Sequence, residues 1–186
     1  MPQFTSAPTA AVGHTTVLSC SSSGLSQMQP LGVSVDGLGN VLIVDKQSGN
    51  VFSVASGEYG TSTVIASKST YNGIFIDVAG DSAGNVMVAD NKGNNVGVLN
   101  LTSGASLFLA TITQPTAVAF DQYDGLYVTD QHSKCLYAIC APYTSLVTVS
   151  CAYSSPVSVA IDASQNVYVA DGNTVWQNIG CAVMAH

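Results

Sequence analysis

The chain has 186 residues, 47% of them hydrophobic but only 8% charged, with four Lys, no Arg and eleven acidic residues for a net charge of −7. Nucleic-acid binding needs a basic footprint that displaces counterions from phosphates and is excluded; an anionic membrane surface is disfavoured for the same reason. No apolar run approaches the roughly 18 residues of a membrane-spanning helix, which excludes insertion by that route.

Residues 1–14, MPQFTSAPTAAVGH, lack the basic and apolar regions of a secretory signal and read as a flexible N-terminal segment. Residues 15–20, TTVLSC, alternate as an isolated strand. Four copies of one pattern follow: PLGVSVDGLGNVLIVD (30–45), FIDVAGDSAGNVMVAD (75–90), PTAVAFDQYDGLYVTD (115–130) and PVSVAIDASQNVYVAD (156–171). Each is an apolar alternation, an Asp, a turn, a second apolar run and a second Asp. The two Asp are nine apart in every copy: 36 and 45, 81 and 90, 121 and 130, 162 and 171.

Third strands are predicted at 51–54, 96–99, 136–139 and 175–178, and fourth strands at 63–66, 107–110 and 145–150. The last repeat has no fourth strand of its own. A repeat of about 40 residues built only of short strands is the signature of propeller blades. The expected fold is therefore all-β: a β-propeller of four four-stranded blades over 15–186, closed by the 15–20 strand completing the last blade. Pairing the N-terminal strand there leaves no open sheet edge.

The pattern P-x-x-V-x-h-D-x-x-G-N-h-h-V-x-D, with h hydrophobic, resembles the NHL repeat family of β-propellers. The Asn-His-Leu signature itself is absent, its nearest matches being Asn50-Val51 and Asn94-Asn95-Val96. NHL rings usually have six blades, and related six-bladed rings include lyases and metal-dependent lactonases. The resemblance therefore implies a metal-dependent enzyme as the alternative to a binding module. The lyase type looks to several His around its channel, and this chain has only His14, His132 and His186. The lactonase type uses a Glu at the channel mouth, and the one Glu here, Glu58, falls in a c–d turn. No metal, cofactor or catalytic residue is assigned.

Both Asp columns read as turn and loop caps, since Asp accepts hydrogen bonds from backbone N–H groups two or three residues on. A residue repeated in every blade serves what every blade needs. Recognition is expected instead on the face carrying the b–c and d–a loops, where side chains differ between blades: Gln29, Lys46, Gln47, Asn91, Lys92, Gln114, Gln131, His132 and Asn173. Trp176, Tyr137 and Phe52 share one third-strand position and read as inter-blade packing.

Cysteine placement suggests disulfides Cys140–Cys151 and Cys20–Cys181 with Cys135 free, because each pair takes the same place in its blade. Disulfides imply an oxidising compartment. Asn100-Leu101-Thr102 fits the N-glycosylation pattern on an exposed turn. The expected protein is a non-catalytic binding or assembly module, extracellular or on a cell surface. Its partner is a protein, a glycan or another copy of itself, and a structural subunit of an extracellular polymer is a further alternative.

Overall fold

The computed structural model describes residues 28–58, 61–68, 73–99, 106–140, 143 and 145–179. These residues form four antiparallel sheets in chain order. Blade 1 comprises β1 (Pro30–Val35), β2 (Val41–Asp45), β3 (Asn50–Val54) and β4 (Thr63–Ala66). Blade 2 comprises β5 (Phe75–Gly80), β6 (Val86–Asp90), β7 (Asn95–Leu99) and β8 (Ser106–Thr111). Blade 3 comprises β9 (Pro115–Phe120), β10 (Leu126–Asp130), β11 (Cys135–Cys140) and β12 (Ser145–Ser150). Blade 4 has three strands, β13 (Pro156–Ile161), β14 (Asn166–Asp171) and β15 (Thr174–Ile179). The strand expected at 15–20 lies outside the described residues.

Local chemistry makes each blade. The first Asp of every repeat organises the turn between its first two strands. Asp36 Oδ1 accepts the N–H groups of Leu38 (2.9 Å) and Asn40 (2.8 Å), and Oδ2 accepts the Asn40 side-chain amide (2.9 Å). Asp81 with Ala83 and Asn85, and Asp162 with Ser164 and Asn166, repeat all three bonds. The third residue after this Asp has positive φ in all four blades: Gly39, Gly84, Asp124 and Gln165. Glycine reaches that region without strain, and Asp and Asn more readily than most residues.

Blade 3 departs in one atom. Gly125 stands where the other turns have Asn, and Asp121 Oδ2 is buried without a hydrogen-bond partner. Asp121 keeps only the Tyr123 and Gly125 N–H bonds, at 2.9 and 2.8 Å. Gly125→Asn supplies the missing amide after a small rotation of the carboxylate, whose Oδ2 lies 2.6 Å from where the new Cβ would stand. The substitution is expected to stabilise by about 1 kcal/mol, read as a rise in Tm of a few degrees by calorimetry.

Apolar side chains fill three seams between consecutive blades. Leu42, Val44 and Val51 of blade 1 meet Val78, Val86 and Val88 of blade 2. Ala79, Met87 and Ala89 meet Val118, Leu126 and Val128 of blade 3. Ala117, Tyr127 and Leu136 meet Val159, Val167 and Val169 of blade 4. Second strands are therefore apolar on both faces, and β6 and β10 are buried throughout. The inner strands pack in series, β1 on β5, β5 on β9 and β9 on β13. No comparable packing joins β13 back to β1. Among the described residues the four blades form an open arc.

Of the expected inter-blade aromatic column, Tyr137 packs on the seam between blades 2 and 3. Phe52 is buried against Ile43 and Val54 of its own blade, and Trp176 is 43% exposed, edge-on to Tyr153 at 6.4 Å.

The cysteine pairing differs from expectation. Cys151 is bonded to Cys135, with Cα atoms 4.0 Å apart, and not to Cys140. Two cysteines that each close their own strand of an antiparallel hairpin lie at opposite ends of it. Cys140 stands opposite Ser145 and Leu136 opposite Ser150, so it is the start of β11 that meets Cys151. Cys135 is therefore not free. Cys140 is also disulfide-bonded. Cys20, Cys181 and the Asn100 sequon lie outside the described residues.

Candidate functional site

The second Asp of each repeat builds the loop face. Asp45 Oδ2 accepts the Ser48 N–H (2.9 Å) and hydroxyl (2.6 Å), which fixes the b–c loop. Its Oδ1 accepts the Gln29 N–H from the d–a loop, 16 residues earlier. Asp90 holds Gly93 and Ile74 in the same way. Asp130 holds His132 and Ser133 in one loop and Gln114 in the other. Asp171 takes Ser154 and Ser155. Asp45, Asp90 and Asp130 thus clamp the loop that enters a blade to the b–c loop of that blade, whereas Asp171 holds the incoming loop and the Trp176 indole. Backbone bonds from Lys46 to Gln29, Asn91 to Ile74 and Gln131 to Gln114 close the same junctions. The sequence predicts the cap within the b–c loop. The clamp onto the d–a loop comes only from the fold.

This clamp brings the expected recognition residues together in pairs. Gln29 lies beside Lys46, and Gln114 beside Gln131. Gln29, Lys46, Gln47, Lys92, Gln114, His132 and Asn173 are exposed. Asn91 and Gln131 are half-buried and serve the next blade: Asn91 donates to the Pro115 carbonyl (3.4 Å) and Gln131 to the Ser155 hydroxyl (2.7 Å). Two of the nine expected contact residues are thus engaged between blades.

Two carboxylates of this column, Asp45 and Asp171, are held in their charged form. Burial alone raises the pKa of Asp45, but hydrogen bonds from Ser48, Gln29 and Gln47 outweigh it and hold Asp45 below its ordinary value. Burial likewise opposes bonds from Ser155, Ser154 and Trp176 at Asp171, and the bonds again win. A folded pKa below the unfolded one contributes stability that is present above the unfolded value, about 3.9, and lost as pH falls through the folded value. Thermal unfolding is expected to give a Tm that is flat near neutrality and falls below about pH 4. Asp45→Asn should flatten that fall.

The inner strands line an open axial cleft of about 530 Å³ whose single charged lining residue is Asp77. Asp77 Oδ2 accepts the Val118 N–H at 2.9 Å, tying β5 to β9. Burial raises its pKa, against the lowering effect of the Val118 and Val78 N–H groups. Its contribution to stability has the opposite sign: present at low pH and lost as pH rises through its folded value. Asp77 is not among the residues expected from the sequence. Its signal is a broken column, since the other repeats carry Gly32, Ala117 and Ser158 at that place. Among the described residues no three His, Cys, Asp or Glu converge in a way that could hold a metal ion. Glu58 is exposed on the c–d turn of blade 1.

No protein-family profile and no curated protein matches the sequence. Solved structures do match. A chain of a nidogen/laminin complex superposes with a TM-score of 0.67 at 16% identity, over 76% of this chain and 56% of that one. A streptogramin B lyase gives 0.67 at 13% identity, over 81% and 51%. A gluconolactonase from Xanthomonas campestris gives 0.67 at 12% identity, over 81% and 57%. The chain is a β-propeller. It spans a little over half the length of these structures, and at such identities the likeness concerns the fold alone. The propeller resemblance of the repeat is thus supported at the level of architecture, among proteins that include both a binding complex and enzymes.

Proposed function

We propose that this propeller is an extracellular recognition module, NHL-like in its repeats, that binds a protein or a glycan through its loop face without catalysis. The observation that carries this reading is the recurrent use of one carboxylate per blade to hold its incoming loop, beneath side chains that differ from blade to blade. A rigid scaffold presenting variable exposed loops is the usual form of a grafted site. The two Asp columns, the most conspicuous acidic groups of the chain, are occupied by backbone and side-chain donors, apart from the buried Oδ2 of Asp121. The Cys135–Cys151 bond fits an oxidising compartment. The nidogen/laminin structure supports protein binding as a use of this fold, and the lyase and lactonase structures support the enzyme alternative equally at the level of fold.

The test is binding to arrays of glycans and of extracellular-matrix proteins, comparing the native chain with a Lys46→Ala, Gln47→Ala, His132→Ala, Asn173→Ala variant. These side chains are exposed, so the variant should fold normally. A loss of binding of at least about tenfold, or 1.4 kcal/mol, is expected. Binding that is unchanged in the variant, or turnover of a gluconolactone or of streptogramin B by the native chain, would overturn the proposal.

A further inference from the structure

The two ends of the arc are the two halves of one more seam. The fourth residue of each first strand faces the preceding blade. Val78 is 1% exposed, Val118 5% and Val159 8%, each sealed by the blade before it. Val33, in the same position of blade 1, is 69% exposed. Val35 lies on the same face of β1 and is 61% exposed. At the other end, Ser158 and Ala160 of β13 are exposed, as are Val175 and Gln177 of β15. Their counterparts in blade 3 are covered by blade 4: Ala117 is 5% exposed and Ala138 is fully buried.

We propose that the open face of β1 in one copy of this chain docks on the open face of β13 and β14 in a second copy, continuing the blade series head to tail. The internal seams state what fits. A first strand sits on the first and second strands of the blade before it: β5 on β1 and β2, β9 on β5 and β6, β13 on β9 and β10. In the seam between blades 2 and 3, Val118 shares a core with Ala79, the counterpart of Ala160. In the next seam, Val159 shares a core with Ala119. A fourth seam of this kind places Val33 of one copy on Ala160 of the other.

Neither face carries a formal charge. Val33 and Val35 stand on one, and Ser158, Ala160 and Ala170 on the other. No ion has to be stripped of water when they meet, and apolar burial drives association. A contact between two different surfaces of the same chain is heterologous. It closes into a ring where the rotation allows, two copies giving eight blades, and grows a filament where it does not. This inference stands apart from the loop-face reading, because it uses strand faces and none of the loop residues.

The test measures mass in solution by light scattering and sedimentation, from micromolar to millimolar protein. The native chain should self-associate. Val33→Lys and Ala160→Glu should each weaken association by at least about tenfold, since each buries an unpaired charge in the seam. Both positions are exposed in the single chain, so the monomer's Tm should hardly move. Mixing the two variants supplies the discriminating result. In a mixed pair the lysine meets the glutamate across one seam and the other seam is native, so association should return. A native chain that stays monomeric throughout overturns the proposal. So does an oligomer that both variants leave intact, which would place the interface elsewhere.

Discussion

Replacing Asp130 by alanine is expected to lower the unfolding free energy by about 3 kcal/mol, read as a shift of the urea midpoint at constant slope. The carboxylate is 1% exposed and accepts three bonds: from the Gln114 N–H (3.2 Å), the His132 N–H (2.9 Å) and the Ser133 hydroxyl (2.8 Å). Each is charge-assisted, and the donors, once abandoned, face each other across a part-buried junction. The effect should include a local signature, because the substitution releases the b–c loop and the d–a loop of blade 3 together. Amides of 112–114 and 131–134 should lose exchange protection in concert. A midpoint shift of less than about 1 kcal/mol, within the range of an ordinary surface substitution, would show that the clamp is dispensable.

Leu126→Ala should cost about 3–4 kcal/mol, within the range for a large-to-small change at a site that cannot collapse. Leu126 has no exposed surface and lies in the core shared by blades 2 and 3 with Met87, Val118 and Ile139. Backbone hydrogen bonds hold β10 on both sides, to β9 and to β11, so the strand cannot move in to fill the space. Leu146→Ala is the control. That residue is 42% exposed on the outer strand β12 and should cost well under 1 kcal/mol. Chemical denaturation of both variants checks the contrast, and equal losses would mean that the seam is not the main apolar core.

The strands and turns were legible because their signals are local. Period-two alternation marks a strand wherever it lies, and the Asp-x-x-x-Asn turn carries its own donors and acceptors within five residues. Register was harder to read. Each third strand meets its fourth through an irregularity, at Val51/Phe52, Val96/Gly97 and Leu136/Tyr137. The cysteine error had a simpler origin, the running direction of an antiparallel hairpin, which the sequence does contain. At the loop face, exposure could be predicted by position, but Asn91 and Gln131 reach across to the next blade, and only the stacking of blades reveals that. The strand count pointed to closure, but the blade-to-blade angle that decides whether the arc meets itself was not legible. The angle between neighbouring blades depends on side-chain volumes summed across each seam, and no short window of sequence holds both sides of one.

An arc stacked blade on blade has no single cooperative heart. Blades 2 and 3 have a neighbour on each side, whereas blade 1 and blade 4 each have one among the described residues. Stability in such a series is close to a sum of intrinsic terms and nearest-neighbour terms. Opening is then graded along the chain, starting at the two ends and reaching the centre last. The chain behaves less like a sphere with a core than like a short stack of plates, whose outermost members fray until something is laid against them.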